Sequence, residues 1–107
     1  MEASFWDGKR APGVKDTIDL SAYDSVVEVI ENSFKRYADR PAFTSIGYTL
    51  TYRQIDEYSA AFANYIQNHT TLKPGDSIAI QMPNILQYPI AMYGSLRAGL
   101  RVVNTNP

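Results

Sequence analysis

The chain has 107 residues, with ten basic and eleven acidic side chains and a formal net charge of −1. Its hydrophobic fraction of 45% and charged fraction of 20% are those of a soluble folded domain, and the sequence pI near 5.7 leaves no basic footprint for nucleic acid. Zero cysteines exclude a disulfide scaffold, a thiolate metal site and a cysteine nucleophile, and the single histidine, His69, excludes a His-rich metal cluster.

Residues 1–24 read as an irregular arm, punctuated by Gly8, Pro12 and Gly13 and lacking both periodicity and the apolar core of a signal peptide. Phe5 and Trp6 are expected to anchor this arm on the domain surface, because large rings seldom stay in water alone. From Ser25 to Ala38 the apolar positions Val27, Ile30, Phe34 and Ala38 recur at helical spacing. Asp24 or Ser25 caps that helix, and Asp39-Arg40-Pro41 ends it. Ala42–Ile46 and Thr49–Thr51 then read as two short strands around Gly47-Tyr48, with glycine first in a type II′ turn.

Thr51-Tyr52-Arg53-Gln54 fits a capping box opening a helix that runs to about His69. Its expected stripe is Ile55, Phe62 and Ile66, flanked by Tyr58, Ala61 and Tyr65. Lys73-Pro74-Gly75-Asp76 is a turn by its residues alone. Ser77–Met82 reads as a buried strand, and Asn84 with Gln87 as a second capping box on a helix through Ala98. Pro89 is expected to remove a backbone bond from that helix and bend it, and Gly99 to end it. Leu96 is expected to face the core. Arg101–Asn104 begins another strand, so residues 77–104 form a right-handed βαβ unit with a parallel sheet. The fold class is therefore α/β, with a β-hairpin and a βαβ parallel-sheet unit.

All eleven acidic residues lie between Glu2 and Asp76. From Ser77 to Pro107 the only charged side chains are Arg97 and Arg101, so this stretch reads as largely buried. A chain this short has little bulk to cover such a tail, which points to a fragment of a longer protein. The same bareness predicts self-association of the isolated chain through the region of helix 85–98 and strand 101–104.

The chemistry-bearing residues support no site. Ser59 and Ser95 lie in helical patterns without a histidine partner and read as structural, while His69 complements a helix C-terminus. Asp56 and Glu57 are adjacent, point about 100° apart on a helix and read as a solvated face. The tyrosines at 52, 58 and 65 read as rim-of-core residues, since no basic residues interleave with them as a base-stacking platform requires. The Asn68-His69-Thr70 sequon is incidental without a secretory route, and Gly94 and Gly99 do not make a phosphate loop. No catalytic, cofactor-binding or metal-binding residue is assigned.

The run Gly75-Asp76-Ser77-Ile78-Ala79-Ile80-Gln81-Met82-Pro83-Asn84, then Gln87-Tyr88-Pro89 and Leu96-Arg97-Ala98-Gly99, resembles the N-terminal region of AMP-forming acyl-CoA synthetases. Val102-Val103-Asn104-Thr105-Asn106-Pro107 is similar to the strand that follows there. Upstream, Tyr37-Ala38-Asp39-Arg40-Pro41-Ala42-Phe43 and Leu50-Thr51-Tyr52-Arg53-Gln54 match in order and spacing. The pairing of Leu86-Gln87-Tyr88-Pro89-Ile90-Ala91 with Val102–Pro107 looks most like bacterial long-chain fatty acyl-CoA synthetases.

The resemblance implies that residues 25–107 are the first part of the large N-terminal AMP-binding domain. It implies a parent that joins a long-chain fatty acid to coenzyme A through an acyl-adenylate, consuming ATP with magnesium and releasing AMP and pyrophosphate. The family's phosphate loop, adenine contacts and catalytic lysine fall beyond Pro107, so the chain itself is expected to be inactive scaffold with no cofactor. The parent is implied to be cytoplasmic, without a transmembrane segment, its membrane contact if any being peripheral at the inner membrane. Two alternatives stay open. One is another adenylate-forming enzyme, such as an aryl-CoA ligase, a luciferase-like protein or a peptide-synthetase adenylation domain. The other is a stand-alone α/β interaction module.

Overall fold

The structure, a computed structural model, describes residues 5–107. Residues 5–25 form turns without a helix or strand. Phe5 and Trp6 do not anchor this segment on the body as expected: their rings meet edge-to-face at 5.1 Å, Lys9 Nζ lies 3.3 Å from the Phe5 ring centre, and both residues remain mostly exposed.

Helix α1 spans Val26–Arg36. Ser25 is its cap, the Ser25 hydroxyl accepting from the Glu28 N–H at 3.1 Å, while the Glu28 carboxylate accepts from the Asp24 N–H at 2.7 Å. The helix stops two residues short of Ala38 because Tyr37 N–H closes the last turn on Ser33 and Arg40 N–H turns the chain back onto Tyr37. Strands β1 (Pro41–Ser45) and β2 (Tyr48–Thr51) pair antiparallel, with Ser45 opposite Tyr48. That register leaves Ile46-Gly47 as the two loop residues, one position earlier than expected. Both have positive φ, 50° and 79°, so the turn is type I′ rather than II′.

Helix α2 spans Tyr52–His69 and opens with the expected capping box: Thr51 Oγ1 accepts from Gln54 N–H, and Gln54 Oε1 accepts from Thr51 N–H at 2.9 Å. Arg53 ties its first turn to Asp39 at 2.7 Å. Its buried face is Ile55, Ser59, Ala63 and Ile66. Tyr58 and Tyr65 are about half exposed at the rim, and Ala61 lies outside.

Strands β3 (Ser77–Ile80) and β4 (Arg101–Asn104) pair parallel, Ser77 opposite Arg101 and Ile80 opposite Asn104, joined across helix α3 (Gln87–Arg97). The expected capping box on α3 does not form. Helical backbone begins at Gln87, the cap position falls on Leu86, and no side chain caps it. Pro89 is thus the third helical residue, within the first turn, where a backbone N–H has no helical acceptor to lose. The expected lost bond and bend have no cause here. Gly99 ends the segment at φ +83°, its Cα packed so closely on Pro74 that a Cβ would lie 3.0 Å away.

α2 is the centre of the molecule. Its first half packs with Ile30 and Phe34 of α1 around Ile55, with Leu50, Ile90 and Tyr93 closing that cluster. Its second half packs Ala63 and Ile66 against Ala98 and Leu100, with Phe62, Leu72 and Ile78 around them. The face that α3 presents to α2 is small. Ala91, Gly94 and Ser95 are buried, and a Cβ on Gly94 would lie 2.8 Å from the Ser59 carbonyl oxygen and 2.8 Å from Phe62 Cδ1. Leu96, expected in the core, is only half buried, because this small-residue stripe is what lets the two helices approach. Within these 107 residues burial concentrates on α3 and its flanks, and most of β3 and β4 faces outward, the nearly uncharged tail for which the chain has too little bulk to provide cover.

Candidate functional site

Each singled-out residue can now be placed. Ser59 and Ser95 are fully buried; the Ser95 hydroxyl donates to the Ala91 carbonyl at 2.7 Å and the Ser59 hydroxyl to the Asp56 carbonyl at 3.2 Å. Both satisfy their hydroxyls on their own helix, which is a packing role. His69 is the last residue of α2, its ring stacked on Tyr65 at 5.2 Å. Glu57 is exposed as expected, but Asp56 is not a solvated face. Its carboxylate accepts from Arg97 Nη1 at 2.9 Å, and its carbonyl accepts from the same nitrogen at 3.0 Å.

Arg97 is a junction that sequence reasoning did not single out. From the last turn of α3 it reaches Asp56 and the Ser59 hydroxyl on α2, Glu31 on α1 at 3.4 Å, and the face of Phe34 at 5.5 Å. Its side chain is only 17% exposed, so a cation is held inside by two carboxylates, two neutral oxygens and a ring. The available signal was its isolation in an uncharged stretch: a lone cation among apolar residues needs partners from elsewhere in the fold.

In open parallel sheets, ligands bind outside the carboxyl ends of the strands. That position here is a cleft of about 320 Å³ between the ends of β3 and β4, lined by Ile80, Met82, Asn84, Tyr88, Asn104 and Thr105 among others. Tyr88 Oη donates to Asn104 Oδ1 at 2.8 Å, Gln81 Nε2 to the Asn106 carbonyl at 3.1 Å, and Thr105 N–H to the Ile80 carbonyl at 3.0 Å. The lining is amides, hydroxyls and apolar side chains, without carboxylate, imidazole, ammonium or guanidinium. Such a cleft can orient a neutral hydrogen-bonding group. It offers no imidazole or carboxylate side chain as a general acid or base near neutral pH, and no cationic side chain to pair with a phosphate. Among the described residues no cluster of three or more His, Cys, Asp or Glu could hold a metal, and no helix is long and apolar enough to cross a membrane.

The perturbed ionisations fall outside that cleft. Burial, then the neighbouring phenols of Tyr52 and Tyr88, push the Tyr93 phenol above its usual range. Hydrogen bonds from the Ser21 hydroxyl and N–H hold the Asp19 carboxyl low, and the hydrogen bond to Asp39 raises Arg53. These are structural environments: none of the three groups lines the cleft.

Comparison with known proteins supplies what the cleft alone does not. The AMP-binding enzyme family matches residues 30–107. A long-chain-fatty-acid–CoA ligase of Yersinia pestis is 51% identical over 100 residues, covering 92% of this chain and 18% of that protein. One from Escherichia coli O6:H1 is 47% identical over 102 residues, 95% of this chain and again 18% of that protein. The chain thus spans under a fifth of the length of these relatives. Among solved structures, the N-terminal subdomain of Klebsiella oxytoca NpsA superposes with a TM-score of 0.73 at 28% identity, over 77% of this chain and 21% of that one. The fatty acid AMP ligase of Legionella pneumophila superposes with a TM-score of 0.71 at 27% identity, over 80% and 16%. The hairpin, the long α2 and the parallel β3–α3–β4 unit are the α/β framework of this region, and the chain belongs to the AMP-binding enzyme family of adenylate-forming proteins.

Proposed function

We propose that the chain is the N-terminal scaffold of an ATP-dependent, AMP-forming long-chain fatty acid–CoA ligase. The observation that carries this reading is identity of 47–51% to long-chain ligases over 92–95% of the chain. In this reading the whole enzyme is cytoplasmic and uses a long-chain fatty acid, ATP with magnesium, and coenzyme A. Residues 1–24 are its arm and residues 25–107 the first part of its AMP-binding domain. The catalytic and nucleotide-binding groups lie outside these 107 residues. What this stretch contributes is a rigid α2–α3 pair that holds the parallel β3–β4 edge and its neutral cleft in place for the rest of the domain.

A chimera tests this reading. The chain replaces the corresponding 102 residues of the Escherichia coli ligase, and formation of palmitoyl-CoA with release of AMP is measured. Retained long-chain activity supports the assignment; a folded chimera that adenylates no long-chain fatty acid refutes it. The scaffold reading also requires that the isolated chain show no saturable ATP–magnesium binding in calorimetry. One-to-one binding in the micromolar range would place nucleotide contacts inside residues 1–107 and overturn that part. With most of β3 and β4 facing outward and only one charge between them, Arg101, the isolated chain is further proposed to self-associate along this edge.

A further inference from the structure

We draw no further inference here: the strongest candidate, the uncharged groove between the β1–β2 hairpin and the start of α3, carries no proposal because nothing in the structure shows what covers it in a chain that spans under a fifth of its relatives' length.

Discussion

Gly94→Ala is the substitution on which the packing account depends most directly. On an unconstrained helix the change should stabilise, because alanine exceeds glycine in helix propensity by about 1 kcal/mol. At the α2–α3 crossing the added methyl would lie 2.8 Å from the Ser59 carbonyl oxygen and 2.8 Å from Phe62 Cδ1. The Phe62 ring can swing aside, but the Ser59 oxygen belongs to the backbone of α2 and moves only with that helix. Relief thus requires the helices to part by roughly half an ångström, which also stretches the 3.0 Å bond from Arg97 to the Ser59 hydroxyl. Overpacking of a well-filled core costs about 1–3 kcal/mol, and the rigid backbone contact places this site at the upper end. Subtracting the propensity gain leaves a net loss of about 2 kcal/mol, or roughly 10 °C in thermal midpoint for a domain of this size. Urea unfolding followed by circular dichroism measures it. The two effects have opposite signs, so a midpoint that rises in Gly94→Ala would refute the close α2–α3 contact outright.

Other outcomes follow from the same structure. Asp56→Ala should destabilise by about 1–2 kcal/mol, reduced from the full value of a charged hydrogen bond because the carboxylate is partly solvated, whereas Glu57→Ala should stay within about 0.5 kcal/mol. Matching urea midpoints for the two would remove Arg97 as a junction. The Tyr93 phenol is raised in the folded state, so the unfolded chain releases that proton first, and stability should fall as pH rises from about 10 toward the folded value. Tyr93→Phe should flatten that part of the alkaline profile; an unchanged alkaline profile counts against burial of the phenol. The isolated chain should sediment as a concentration-dependent oligomer at micromolar concentrations. A single 12.0 kDa species at high micromolar concentration shows instead that the β3–β4 edge is protected.

Local information in the chain determined the elements themselves. The hydroxyl of Ser25, the Thr51/Gln54 pair and the positive-φ glycines at 47 and 99 act within a few residues, so they are legible wherever they occur and predict α1, the hairpin, α2 and the end of α3. Ordered motifs from Tyr37 to Pro107 carried the family likeness for the same reason, since they are short strings at regular intervals. The register of the hairpin was decided by pairing. Ser45 faces Tyr48, which moves the turn one residue back and forces an isoleucine into a glycine-like conformation. The uncapped start of α3 was decided by the loop that carries the chain from β3 past the hairpin, with Ser45 holding the Asn84 carbonyl. Tertiary structure also decided which face of α3 is inside. A pattern search weights large apolar side chains and selects Leu96, but two helices that cross this closely need small residues between them, and that need exists only once α2 is in place. The role of Arg97 was settled in the same way. Its partners stand 66, 41 and 38 positions away at Glu31, Asp56 and Ser59, and only the packing of three helices brings them to one guanidinium.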